Sequence, residues 1–117
     1  MNKEEPDIII PEELYTRLEN AVLEIPGVFA FTDEGFQLFK RNISQAFGLK
    51  SHKGLIISQN KRKEIRIDVS IDLKDGFQVK KIAGCIQETV KGIAAQYIEK
   101  DIAEINVTVT DIVKQKR

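Results

Sequence analysis

The sequence predicts an α+β protein: a small, mostly antiparallel sheet with helices packed on one face, including a C-terminal strand–helix–strand crossover. Three observations carry that prediction. From Glu64 to Leu73 the chain alternates without exception, with Ile65, Ile67, Val69, Ile71 and Leu73 set against Glu64, Arg66, Asp68, Ser70 and Asp72. A period of two puts the apolar set on one face and the polar set on the other. Next, Val79, Ile82, Ile86, Val90, Ile93 and Tyr97 recur at steps of three and four, the period of an amphipathic helix. Then Ile105-Asn106-Val107-Thr108-Val109-Thr110 alternates again and is rich in β-branched residues. Strands apolar on one face only favour antiparallel pairing over a doubly wound parallel sheet, whose strands are apolar on both.

The remaining elements follow in chain order. Ile8 to Ile10 reads as a short opening strand, and Pro11-Glu12-Glu13 supplies the chemistry of a helix's first turn. Leu14, Leu18, Ala21, Val22 and Ile25 form that helix's apolar stripe, and Pro26-Gly27 ends it. Val28 to Phe31 reads as a brief strand, and Thr32 or Asp33 as the cap of a second helix from about Glu34 to Phe47. Its stripe of Phe36, Phe39, Ile43 and Phe47 is read as core, with an exposed surface for a partner or membrane as the alternative. Residues 54–59 read as a strand, Asn60-Lys61-Arg62-Lys63 as a polar turn, and Asp75-Gly76 as the turn into the long helix. Gly84 and Gly92 inside that helix each cost about 1 kcal/mol relative to alanine. Close approach to the sheet, or to another chain, is the reason expected for them.

Length and composition bound the function. A chain of 117 residues, 42% hydrophobic and 31% charged, suits one domain spanning 1–117, with 1–6 and 114–117 flexible. Its apolar runs are far short of the roughly 20 residues of a spanning helix. The polar, acidic N-terminus is the reverse of a secretory signal, so a cytoplasmic location is expected. Cys85 is the only cysteine and is read as filling space in its helix. Net charge is zero but segregated: residues 1–36 carry nine acids and two bases, residues 37–63 carry seven bases and no acid, and the rest is balanced. Such asymmetry marks either internal pairing or an interaction surface.

Candidate chemistry is sparse. His52 stands alone in a polar stretch, with no second histidine or cysteine pair to complete a metal site. Asp68 and Asp72 share a wet face with Arg66, where cross-strand charge pairing explains them better than acid–base work. No phosphate loop, dinucleotide fingerprint or nucleophile elbow occurs, so no enzyme activity, catalytic residue, cofactor, metal or small-molecule substrate is expected. Lys50, Lys53, Lys61, Arg62 and Lys63 lie at the two ends of the 54–59 strand and form two small basic patches rather than one. These serve anionic lipid weakly, and nucleic acid is not expected because the aromatic interleaving of single-strand binders is missing.

Several segments resemble the bacterial alkaline shock proteins, also called the envelope stress response or general-stress Gls-type family. They are the alternating strand followed by Asp75-Gly76, then Val79, Ile82-Ala83, Ile86-Gln87 and Val90-Lys91, and the closing Ile105-Asn106-Val107-Thr108-Val109 with Asp111-Ile112. Glu24-Ile25-Pro26-Gly27-Val28 upstream is similar to the family's other marker. Glu99-Lys100-Asp101 departs from the family's glycine-bearing turn, and the Phe36 to Phe47 segment is unusual for it. The resemblance implies a non-enzymatic cytosolic protein of Gram-positive-type bacteria, self-associating and working beside the membrane through a membrane-anchored partner. On that expectation the protein is a scaffold or adaptor in envelope homeostasis, with Phe36, Phe39, Gly84 and Gly92 as contact residues. The alternatives are a binder of anionic lipid or nucleic acid through the basic 37–63 segment, and a regulator linked to fatty-acid metabolism.

Overall fold

The computed structural model describes residues 10–33, 47–52, 54–59, 62–99 and 101–114, with the backbone alone for 47–52. The elements are α1 (Glu12–Leu23), β1 (Val28–Phe31), β2 (Phe47–His52), β3 (Leu55–Gln59), β4 (Ile65–Lys74), α2 (Val79–Ala94) and β5 (Ile102–Val113). This is the α+β architecture that the two periods predict.

β4 organises the sheet. Along one edge it pairs in parallel with β5, from Ile65 opposite Ile102 to Lys74 opposite Val113. Along the other it pairs antiparallel with two strands set end to end. β3 takes its first half, Leu55 opposite Val69 to Gln59 opposite Ile65, and β1 takes its second, Phe31 opposite Ile71 to Val28 opposite Leu73. The two meet at Ser70, whose carbonyl accepts from the Thr32 amide (3.0 Å) and whose amide donates to the Gly54 carbonyl (2.8 Å). β2 pairs antiparallel with β3 on its far side.

The alternation of β4 decides where the core lies. Ile65, Ile67, Val69, Ile71 and Leu73 are all fully buried, in one cluster with Leu14, Leu18 and Val22 of α1 and Ile82, Ile86, Val90 and Ala94 of α2. Both described helices therefore share one face of the sheet, with α1 against β1 and α2 against β5. The opposite face is less wet than the alternation alone implies. There Ile56, Ser58 and Ser70 are buried, and Asp68 is largely covered.

Several local expectations need correction. Phe47 does not end a helix but opens β2, and the polar stretch through His52 is a strand. Period-based reading misses it because Phe47 and Leu49 alternate for one step only before the polar Lys50-Ser51-His52, and pairing with β3 supplies the order instead. The last strand runs from Ile102 to Val113, longer than its alternating centre, because two irregularities absorb an extra residue on each side. The expected opening strand and the Glu34 to Phe47 helix lie outside the described residues, apart from buried Ile10 and Phe47 itself.

Candidate functional site

On the sheet face away from the helices, β4 and β5 project a ladder of polar groups. Arg66 holds Asp68 with two hydrogen bonds, Nε to Oδ2 at 3.0 Å and Nη2 to Oδ1 at 3.3 Å, and its Nη1 lies 3.5 Å from Glu104 Oε1. Further along, Thr110 Oγ1 donates to Asp72 Oδ1 at 2.7 Å. Asp68 is thus paired along its own strand and not across strands as expected, whereas Glu104 and Asp72 are engaged across the β4–β5 pair.

A second polar cluster fastens the two helices. Arg17 of α1 donates to Gln96 Oε1 (3.0 Å) and to the Tyr97 hydroxyl (3.1 Å), with its guanidinium 5.6 Å from the centre of the Tyr97 ring. The Tyr97 hydroxyl in turn donates to Glu13 Oε2 at 2.9 Å. The bond to Tyr97, with a smaller contribution from Glu13, pushes the Arg17 guanidinium further above its ordinary value. Every partner in this clasp comes from the chain itself.

Only some of the residues that sequence reasoning singles out fall among the described residues. Phe36, Phe39, Lys53 and Lys61 lie outside the described residues, and Lys50 is in β2, where only the backbone is described. Arg62 is exposed and Lys63 half-buried in the turn between β3 and β4, the far end of β3 from Gly54. Lys63 adopts a left-handed backbone, φ 69°. Gly84 and Gly92 do not lie against the sheet: a Cβ built at either meets nothing within 4 Å. The helix-to-sheet approach expected for them is therefore corrected, because their positions turn away from the stripe of Ile82, Ile86, Val90 and Ala94. Cys85 is likewise exposed on α2 instead of filling the core.

Sequence reasoning passes over a set of half-exposed apolar side chains: Leu23, Phe29, Phe77, Val79 and Ile112, each between 41% and 48% exposed. The available signal was position, since Phe77 follows the Asp75-Gly76 turn and Val79 opens a helix whose buried stripe starts at Ile82. Phe77 lies so close to Gly27 (φ 102°) that a Cβ there would stand 2.9 Å from its ring. Among the described residues, no helix is long and apolar enough to cross a membrane, and no group of three or more His, Cys, Asp or Glu is placed to hold a metal ion.

No curated protein matches the chain. Among solved structures, a single-substitution variant of the MamM CTD is similar at 16% identity, covering 91% of this chain and 96% of that one with a TM-score of 0.41. The family model of the alkaline shock protein 23 family, described as having a cell envelope-related function, matches residues 8–114. That match spans α1, the whole sheet and α2, including the segments on which the resemblance rests. The chain belongs to the alkaline shock protein 23 family, whose function is related to the cell envelope.

Proposed function

We propose that the chain is a non-enzymatic scaffold or adaptor in envelope stress response or homeostasis, acting through protein–protein contacts beside the membrane. The observation that carries this reading is the family match over residues 8–114. The surface supports it. Charged groups on the outer sheet face are engaged with one another, while apolar side chains such as Phe29, Phe77 and Ile112 stand half-exposed, an arrangement suited to contact rather than chemistry. In this reading the chain works in the cytoplasm, associates with copies of itself, and reaches the membrane through an anchored protein partner.

Fractionation of the native cell, followed by crosslinking and pull-down of the tagged chain, tests the proposal. The expected result is sedimentation with membranes, release by an alkaline wash, and recovery of an anchored protein whose deletion returns the chain to the soluble fraction. Recovery of the chain entirely in the soluble fraction, with no partner crosslinked, would overturn it.

A further inference from the structure

β5 is a strand with one used edge. Its inner edge is paired with β4 over its whole length, and among the described residues no strand pairs with its outer edge. Which backbone groups face outward follows from the hydrogen bonds. The carbonyl of Asp101 accepts from the Ile65 amide, and that of Val113 from the Asp75 amide, so both point towards β4. In a parallel ladder alternate residues face the partner, and the register slips once at Ala103 and once at Thr110. Between the slips, Glu104, Asn106 and Thr108 therefore face β4 while Ile105, Val107 and Val109 face outward. The Ile105 carbonyl fits this assignment, since it accepts from the Gln87 side chain (2.9 Å) instead of from β4.

We infer that this edge is a self-complementary seam, on which a second copy of the chain adds its own β5 antiparallel about a twofold axis through Val107. In that register Val107 faces itself, Ile105 faces Val109 of the second copy, and Asn106 faces Thr108. Apolar residues meet apolar ones on the helix face, and polar residues meet polar ones on the other. Each outward-facing residue exchanges both backbone bonds with an outward-facing partner, as an antiparallel pair requires, the Ile105 carbonyl taking the second copy's Val109 amide beside or in place of the Gln87 side chain.

The irregularities keep this register in step. Each β5 has one extra residue before Glu104 and one after Val109, so the two strands widen together. Ile102 then arrives opposite Ile112 of the second copy, which gives the 48%-exposed Ile112 an apolar partner. Sliding the pair by two residues in either direction leaves an outward residue unmatched and sets the irregularities out of phase.

Charge selects the direction. Residues 99–104 carry three acids against Lys100, a net charge of minus two, whereas residues 111–117 carry three bases against Asp111, a net charge of plus two. Antiparallel order lays the acidic end of each copy beside the basic end of the other. Parallel order would set like against like, and no like charges from Asp101 to Val113 stand directly opposite in the antiparallel register. A twofold seam of this kind is isologous and closes at two copies.

The inference gives a surface to the self-association in the proposed function; a dimer indifferent to Val107 overturns the seam alone, whereas a strict monomer also removes self-association from that reading and leaves its anchored partner to be tested by pull-down. Analytical ultracentrifugation of the full chain over a concentration series reads the result. Doubling of the 13.3 kDa mass is expected. Val107→Pro removes an amide that serves only the outer edge, where proline is tolerated, and should weaken dimerisation by about tenfold or more while melting stays cooperative. Where that variant fails to fold, Val107→Lys keeps the amide and places two ammonium groups against each other on the axis, with the same expected loss. Register is checked in a Cys85→Ser background. Val107→Cys should crosslink under mild oxidation, since the two Cα atoms of a hydrogen-bonded pair lie about 5.5 Å apart, whereas Glu104→Cys should not. A monomer at every concentration, a dimer indifferent to both Val107 variants, or crosslinking at position 104 alone would overturn the seam.

Discussion

Gly54 stands where three strands meet, and no other residue type fits there. Its φ of 76° lies in the left-handed region, and a Cβ would come within 2.8 Å of the carbonyl oxygens of Ser70 and Thr32. Both obstacles are backbone and cannot swing aside, so Gly54→Ala is expected to cost about 2–4 kcal/mol, read as a fall in the urea midpoint. Lys63 shows the opposite case, a side chain carried at φ 69° in the turn between β3 and β4. Lys63→Gly relieves that strain and should raise stability by up to about 1 kcal/mol in the same assay. Tyr15, fully buried between Leu14 and Leu18, carries a pH dependence. Burial, and to a lesser degree Glu12, pushes its phenol well above the ordinary value. The unfolded chain ionises Tyr15 near pH 10 and the folded chain resists, so its contribution is intact below about pH 10 and is lost as pH rises beyond it. The loss runs at up to about 1.4 kcal/mol per pH unit. Denaturation curves between about pH 9 and 11 should show a shallower alkaline decline in Tyr15→Phe than in the parent chain.

At the scale of elements, periodicity found whatever a buried face imposes. The five alternate residues of β4 and the stripe of α2 are read correctly because burial on one side repeats at a fixed interval. β2 was not legible, since the alternation of Phe47 and Leu49 stops at Lys50-Ser51-His52, too short a pattern to mark a strand, and its order comes from β3. Tyr15 was legible in principle: it continues the three-and-four spacing through Leu18 and Val22, and only its hydroxyl hides it among polar residues. The helix glycines were legible as costs and, by the same period that sets the Ile82–Ile86–Val90 stripe, as positions off it; the expectation of close approach weighed their cost over their place on the helix. Their exposure yields a prediction. At Gly84 and Gly92 an added Cβ meets no other element within 4 Å among the described residues, so Gly84→Ala and Gly92→Ala should each stabilise α2 by about 1 kcal/mol in thermal or urea unfolding. Where these positions serve contact with another protein, the same substitutions lower recovery of that partner while stability rises, a divergence that separates a surface role from a structural one.

For the molecule as a whole, protection from solvent should grade outward from β4. Its amides are bonded to β5 on one side and to β3 and β1 on the other, so they exchange hydrogen only through global unfolding, whereas the outward amides of Ile105, Val107 and Val109 exchange early in the monomer. Exchange measured amide by amide checks this, and slowing at those three positions alone as concentration rises is the signature of the β5 seam. The strand–helix–strand unit from Glu64 to Val113 was readable because both periods fall within it. Its contact surfaces were not, since an open edge is defined by what fails to pair, and sequence pattern records only what does.

The position of β4 between near and distant partners also orders the assembly of the fold. β3 reaches β4 across a short turn, so that hairpin closes early and at little entropic cost. The remaining edge waits for β5, which arrives only after the turn at Gly76 and all of α2 have been laid down. Until then the sheet carries a ten-residue, β-branched flank open to any extended chain. The interval before β5 docks is thus the vulnerable period in this protein's life, and substitutions that delay the docking of α2 are expected to be felt first as aggregation during synthesis rather than as a lower melting temperature.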